Sequence, residues 1–311
     1  ASPMAPVQVF SHGPEKQEKL YSLCVVAVTI SVWLLGLAAP GILVVLCVLR
    51  LWQLAAIFLL SMLVCYVPLP KIAALRRVIH AGVTTYFFES SVTYEAPIPA
   101  GKTLLAIHPH GIFCLGWSLL FFAEDLLHLT FCYSSALYWS PFMHLLVQLT
   151  RGNACAPADK ATFLRMMKKG RPLALIPGGF EEATITSDGA DRVYLKERKG
   201  FAKYAHQHGY SIVPMYAFGE NRLYSNVQGG WWWRFLLNSK AGLPAIVPWG
   251  LWWCPLLPRC REKIHVVVGT AIAPLDGEGV DAFHTRYIKH VEALYDRYKV
   301  QYGASPTLEL W

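Results

Sequence analysis

The chain is short of charge. Only 15% of its 311 residues are Asp, Glu, Lys or Arg, while 54% are hydrophobic; soluble domains carry roughly 25% charged residues. The deficit is concentrated, because from Tyr21 to Leu69 the one formal charge is Arg50. Such a composition argues against an ordinary soluble enzyme. No Asn-x-Ser/Thr sequon occurs, in keeping with a cytosolic face. The eight cysteines (Cys24, Cys47, Cys65, Cys114, Cys132, Cys155, Cys254 and Cys260) form no Cys-x-x-Cys pair. They read as small buried hydrophobes in a reducing compartment, and a disulfide framework is not indicated. Also missing are a Gly-x-Ser-x-Gly elbow, a Walker A loop, a Gly-x-Gly-x-x-Gly turn, a His-Glu-x-x-His helix and any His-x4-Asp spacing. These absences count against the hydrolase elbow, nucleotide loops, zinc proteases and the glycerophosphate-type acyltransferase signature. Acidic residues are the scarcer sign of charge, 20 against 28 basic, for a net +8. That balance suits an anionic membrane face or a polyphosphate such as CoA. It would also suit nucleic acid, but no helix-turn-helix, zinc-finger or RNP pattern supports that partner.

What is abundant is apolar sequence near the start. Residues 21–49 form an uncharged run of 29, and 51–67 add 17 more. About 20 apolar residues cross a bilayer core, so a straight 29-residue helix would overshoot by roughly 13 Å. Pro40-Gly41 offers a place to turn. The expectation is a transmembrane helical hairpin over 21–69, with passes near 21–39 and 42–67, preceded by a flexible lead at 1–20. The run begins too late and continues too long for a cleaved signal peptide, though an uncleaved signal anchor and a buried core hairpin fit the same residues. Lys16 and Lys19 before it, and Lys71, Arg76 and Arg77 after it, favour the cytosol for both flanks. Arg50 would snorkel or lie near a helix end.

Beyond residue 100 short β-like runs alternate with helical ones. Strands are expected at Thr103–Ile107, Thr130–Ser134, Pro172–Ile176, Ser211–Phe218 and Ile264–Gly269. Helices are expected from Gly111 to about Leu127, over Lys160–Lys169 behind an Asp159 cap, over Gly200–His208 stopping at Gly209, and over Asp281–Val300. The order implies an α/β fold with a mixed, largely parallel sheet flanked by helices over 70–311. Residues 229–260 stand apart, with Trp231, Trp232, Trp233, Trp249, Trp252 and Trp253 among Pro244, Pro248, Pro255 and Pro258. Tryptophan favours the membrane-water boundary and four prolines forbid a straight spanning helix, so an interfacial or partly re-entrant segment that opens the site toward lipid is expected; an aromatic-rich core loop is the alternative.

Three clusters carry candidate chemistry. His108-Pro109-His110-Gly111 follows an expected strand, where α/β sheets place reactive loops. A neutral imidazole is suited to accept a hydroxyl proton near pH 7; a polar loop with two exposed histidines fits the same four residues. Pro177-Gly178-Gly179-Phe180-Glu181-Glu182 follows another strand, pairing free amides with a carboxylate, although a plain turn would look alike. If the two strands are parallel neighbours, both loops meet at one sheet edge. The third cluster is Lys196, Arg198, Lys199 and Lys203 at a helix start, a phosphate site in form or simply a solvated face; Lys168, Lys169 and Arg171 compete with it. His108, His110 and Cys114 have an irregular spacing and no fourth ligand, so no metal site is expected.

At these positions the sequence resembles the type-2 diacylglycerol acyltransferase family, which also contains monoacylglycerol acyltransferases and wax synthases. The family's blocks stand in order as His108–Gly111, Gly178-Gly179 with Glu182, Arg198–Phe201, Val213-Pro214, Phe218–Asn221, Val268-Gly269 and Tyr302-Gly303. Phe180 and Glu181 depart from the small residues usual there, leaving Glu181 and Glu182 both open as partner of the base. The resemblance implies transfer of an acyl group from acyl-CoA to diacylglycerol, giving triacylglycerol. In that scheme His110 is the base, His108 an auxiliary and Glu182 the carboxylate that holds the imidazole. Gly111, Gly178 and Gly179 supply oxyanion amides, and Arg198, Lys199 and Lys203 hold the CoA phosphates. It implies no cofactor beyond acyl-CoA as co-substrate, membrane lipid and a glycerolipid acceptor as partners, and compatibility with homo-oligomers. The expected location is the endoplasmic reticulum membrane with the catalytic domain facing the cytosol, and lipid droplets. Monoacylglycerol, a long-chain alcohol or a sterol is the rival acceptor, and a non-catalytic lipid-binding scaffold the rival class.

Overall fold

The computed structural model describes residues 7–12, 16–152, 154–241 and 244–311. Its strands are β1 (Val7–His12), β2 (Glu89–Tyr94), β3 (Thr103–His108), β4 (Thr130–Tyr133), β5 (Cys155–Pro157) and β6 (Leu173–Leu175). They continue with β7 (Asp191–Val193), β8 (Ser211–Phe218), β9 (Ser225–Asn226), β10 (Pro248–Trp249), β11 (Lys263–Val268) and β12 (Leu308–Leu310). The helices are α1 (Lys16–Val48), α2 (Trp52–Val64), α3 (Ala73–Tyr86), α4 (Leu115–Phe121), α5 (Ser135–Tyr138) and α6 (Pro141–Thr150). They end with α7 (Lys160–Lys168), α8 (Gly179–Ile185), α9 (Gly200–His208), α10 (Trp231–Ala241) and α11 (Val280–Tyr298).

Eight strands form one sheet in the order β1-β2-β11-β8-β3-β6-β4-β5. Only β1 on β2 and β11 on β8 are antiparallel, so the expected mixed, mostly parallel sheet is present. Side-chain alternation splits the core. Leu105 and Ile107 of β3, with Val213, Met215 and Ala217 of β8, enter a cluster shared with α1, α3 and α4. Leu104 and Ala106, with Ile212, Tyr216 and Phe218, face the opposite cluster under α7, α9 and α11. This period of two makes β3 a strand buried on both faces, as parallel sheets require. Parallel pairing of β3 with β6 and with β8 brings three strand ends to one edge. Those ends lead into His108–Gly111, Pro177–Glu182 and Gly219-Glu220.

Several expectations change. The apolar helix does not turn at Pro40-Gly41; α1 runs through Pro40 to Val48, a length of roughly 50 Å. Proline removes one internal hydrogen bond there, but the turn before it is held by packing: a Cβ on Gly36 would lie 2.7 Å from Ser140 Oγ, and Ala39 is fully buried. The chain breaks instead at Arg50, whose φ is 57°, which places that charge at a helix end. One long apolar helix is thus established, followed by the shorter apolar α2; a membrane-embedded hairpin is a further step. Leu35, Val44, Val48, Trp52, Ile57 and Leu60 remain exposed, which fits a membrane protein. The opposite side of α1 belongs to the α/β core, with Val25 against Gly82 of α3 so closely that a Cβ there would be 2.5 Å away. Of the flexible lead expected over 1–20, residues 7–12 form an edge strand on β2 and 16–20 already belong to α1; residues 1–6 and 13–15 lie outside the described residues.

The helix expected to continue to Leu127 stops at Phe121. Buried Arg151 and Arg76 take two carbonyls that a longer helix would use, Arg151 donating to Phe121 and Arg76 to Phe122 (2.9 Å), and Arg151 also holds the loop beyond through Leu126 (3.0 Å) and Leu129 (2.9 Å). Elsewhere the caps behave as read. Asp159 accepts from the Thr162 amide at 2.9 Å to start α7, and Gly209 ends α9 at φ 66°.

Candidate active site

The site is assembled from the ends of β3, β6 and β8. His110 follows β3 and faces a cavity of about 920 Å³, at the upper end of ordinary ligand pockets. The walls are largely apolar and include Trp33 and Leu37 of α1, Trp117, Phe121 and Phe163. The His110 ring is fixed at one nitrogen: Nδ1 lies 2.9 Å from the Gly111 carbonyl. A carbonyl can only accept, so Nδ1 carries the proton and Nε2 keeps its lone pair. Burial is the largest influence on the ring and lowers its pKa below the usual 6.5, outweighing the Gly111 carbonyl and the charge of Glu182. His110 is therefore a neutral imidazole at pH 7, the form that accepts a proton.

Glu182 is fully buried beside it, on α8. Its carboxylate does not hold the His110 ring as expected. Oε1 accepts from the His110 backbone amide at 2.6 Å and Oε2 from the Tyr194 amide at 2.8 Å. The imidazole it approaches is that of His108, with Nδ1 3.5 Å from Oε2. Strand parity explains this, since His108 continues the face of Leu104 and Ala106. It points under α11, where its Nε2 meets the Tyr287 hydroxyl at 3.0 Å. His108 is fully buried and is absent from the cavity wall, which rules out a loop with two exposed histidines. The carboxylate thus fixes the backbone that carries the His110 ring.

The glycines have different tasks. A Cβ on Gly178 would fall 2.1 Å from Glu182 Oε2, so that position has no room for a side chain. Gly179 opens α8 at φ 59° and lines the cavity. Gly111 has φ 61°, and a Cβ there would lie 2.2 Å from Glu220 Oε1. Glu220, at the end of β8, accepts from the Leu115 amide (3.0 Å) and the Gly116 amide (2.6 Å) at the start of α4. Burial pushes its carboxyl up to about 7 against the pull of those two amides.

Of the basic cluster, Arg198 reaches the cavity, where it pairs with Glu181 and lies over the Tyr194 ring. Lys199 and Lys203 do not line it. Lys199 is paired with Asp281 at 2.6 Å, and Lys203 is exposed on α9. Glu181 is thereby the partner of Arg198, and Glu182 the carboxylate of the histidine loop.

The sequence pointed to no site role for Glu220, Tyr287 or Lys160, and to Cys114 only as a metal ligand that its spacing disfavours. Lys160 lines the cavity with nothing in the sequence to mark it. Cys114 lies 3.4 Å from Nδ1 and 3.5 Å from Nε2 of His110, and burial raises its thiol well above the usual value. It is a protonated packing partner for the ring. Among the described residues no three His, Cys, Asp or Glu side chains gather where a metal ion could be held.

The geometry is that of a neutral imidazole, anchored at Nδ1, on the wall of a greasy cavity that also carries an arginine. The chain belongs to the diacylglycerol acyltransferase family, whose model matches residues 44–311, and it is an acyltransferase. It is 28% identical over 301 residues to diacylglycerol O-acyltransferase 2 of Xenopus tropicalis, covering 88% of this chain and 83% of that one. It is 30% identical over 244 residues to human acyl-CoA wax alcohol acyltransferase 2, covering 68% of this chain and 70% of that one. The 1-acyl-sn-glycerophosphate acyltransferase PlsC from Thermotoga maritima superposes with a TM-score of 0.48 at 15% identity, covering 91% of this chain and 95% of that one; so loose a likeness carries no argument.

Proposed function

We propose that the chain esterifies the free hydroxyl of diacylglycerol with the acyl group of acyl-CoA, forming triacylglycerol, with His110 as the base. The observation that carries this is the His110 ring at the wall of the apolar cavity, with Nδ1 committed to the Gly111 carbonyl and the lone pair left on Nε2, 3.5 Å from the Cys114 thiol. The acceptor hydroxyl gives its proton to Nε2 as its oxygen bonds to the thioester carbon. The C–S bond then breaks, and the proton passes from the imidazolium to the departing CoA sulfur. First-turn amides of a helix lack internal partners, and those at the start of α8, beside Gly178 and Gly179, are suited to the oxyanion. Glu182 and Gly111 hold the His110 backbone and ring, and His108, behind Glu182, is a positioning residue. Arg198 would exchange Glu181 for a CoA phosphate, while Lys199 and Lys203, outside the wall, add at most long-range attraction. These residues need no cofactor besides acyl-CoA. The proposed setting is the endoplasmic reticulum membrane with the site facing the cytosol, and lipid droplets, through α1 and α2.

A long-chain alcohol is the second reading, favoured by the relative named for wax alcohol at 30% identity. The test is to supply membranes carrying the chain with labelled oleoyl-CoA and, in turn, diacylglycerol, monoacylglycerol and hexadecanol. Triacylglycerol is expected as the leading product. His110→Ala should lower turnover by about 10²–10⁴-fold without loss of the folded protein. Equal turnover in wild type and His110→Ala would remove the base, and a dominant wax ester would replace the acceptor.

A further inference from the structure

The segment after β9 is built inside out. Along α10 the polar residues Arg234 and Asn238, one helical turn apart, are buried, while Trp232, Trp233, Leu236 and Leu237 are exposed. Arg234 donates to the carbonyls of Thr184 (3.0 Å), Val227 (2.6 Å) and Ala245 (2.9 Å). Asn238 donates to Thr184 Oγ1 at 2.9 Å and accepts from the Ala245 amide at 2.8 Å. A helix on a water-facing surface shows the reverse pattern. The apolar surface continues over Val247, Trp249, Trp252, Trp253 and Leu256, with Trp232 at 76% and Trp252 at 83% exposure. Between Gly229 and Pro258 the sequence holds no Asp or Glu, and its only charges are Arg234 and Lys240.

The surface also adjoins both the cavity and α1. Pro244, Ile246, Pro248 and Leu256 line the cavity together with Trp33 and Leu37. Trp33 meets Phe113 with ring centroids 6.3 Å apart, Phe113 meets Tyr224 at 5.4 Å, and the Tyr224 hydroxyl donates to the Leu256 carbonyl at 2.9 Å. A wall shared by the reaction cavity and an outward apolar face has one fitting occupant outside, a phospholipid leaflet. Tryptophan and leucine would lie at the acyl boundary, and the absence of acidic groups avoids repulsion by anionic headgroups. We infer that α10 and residues 244–256 form a second membrane-contacting surface, lying in the leaflet beside α1, so that the glycerolipid enters the cavity from the bilayer.

The inference deepens the acyl-transfer reading by naming the side from which the acceptor comes, and its test reads contact without turnover. Trp232, Trp249, Trp252 and Val300 are each replaced by the photo-crosslinking residue p-benzoylphenylalanine in the full chain. Val300 is exposed just past α11, on the other side of the sheet. The variants are reconstituted in vesicles of phosphatidylcholine with some phosphatidylserine, both carrying labelled acyl chains. Irradiation should give labelled lipid adducts at 232, 249 and 252 and none at 300. Adduct yields at 252 no greater than at 300, or adducts joining two protein chains in place of lipid, would overturn it. Adducts without triacylglycerol synthesis, when the same vesicles are given oleoyl-CoA and diacylglycerol, would leave this surface standing and remove the diacylglycerol reading. Triacylglycerol synthesis without adducts would do the opposite.

Discussion

Gly178→Ala separates the task of the carboxylate from that of the glycine backbone. Gly178 has φ −65° and ψ −29°, a right-handed conformation that alanine adopts freely. By itself the change should stabilise by about 0.4–1 kcal/mol through the unfolded state. The obstacle is the new methyl, 2.1 Å from Glu182 Oε2 and 2.3 Å from its Cδ. The carboxylate must leave, abandoning the amides of His110 and Tyr194 that it holds at 2.6 and 2.8 Å. A hydrogen bond to a charged group contributes about 1.5–3 kcal/mol, so losing both costs about 3–6 kcal/mol. If about 3 kcal/mol of that appears as misplacement of the base, turnover falls about 10²-fold. Gly179→Ala is the control. Its φ of 59° is unfavourable for alanine, yet the nearest atoms, Arg198 Nη2 at 3.6 Å and Glu181 Oε2 at 3.8 Å, are at ordinary contact. It should cost about 1–2 kcal/mol. Ester formation from labelled oleoyl-CoA, and thermal unfolding in detergent, are measured for both variants. Adding Glu182→Ala to Gly178→Ala should cost little more, because the contact is already broken. Wild-type behaviour of Gly178→Ala, or a greater loss in Gly179→Ala, would refute the reasoning.

Three further outcomes follow from the same geometry. Because burial lowers the His110 pKa below 6.5, the unprotonated base persists into mild acid. The acidic limb of kcat/KM should therefore centre below pH 6.5, and a limb centred above it would count against His110. Glu220 is raised from 4.5 to about 7, so the folded chain binds a proton that the unfolded chain has released. Stability should fall as pH rises from about 4.5 through 7, by about 3 kcal/mol. Glu220→Gln should flatten that slope of Tm against pH. Finally, Arg198→Ala should raise the KM for acyl-CoA about tenfold or more, the effect of one charge-assisted contact, with kcat less affected. Lys203→Ala, away from the wall, should leave it within about twofold, as for an exposed charge.

The elements that the sequence announced were those with a local signature. Asp159 and Gly209 mark the ends of α7 and α9, and Ser211–Phe218 is an uninterrupted strand run. The meeting of the histidine and glycine loops was legible as a conditional, needing only parallel neighbours. What was hidden depended on partners distant in the chain. The end of α4 is set by Arg76 and Arg151 taking its carbonyls, and Glu220 acquires its task only when β8 lies beside β3. The assignment of Glu182 to the His110 ring failed for a smaller reason. The strand was ended one residue early, at Ile107, so the parity that turns His108 toward Tyr287 and Glu182 went unused. Proline at position 40 misled because its cost is local, while the packing of Gly36 and Ala39 that offsets it is not.

The first long helix has a consequence for how this enzyme can be handled. Trp33 and Leu37 are part of the chamber lining, and Val25 is wedged against α3. A shortened version beginning near residue 70 would therefore be a vessel missing one side, with Phe113 and Trp117 bared to water. Trimming the greasy front to obtain a soluble protein should yield an aggregating, inactive fragment, because the stretch apolar enough to enter a bilayer is also the one that closes the chamber.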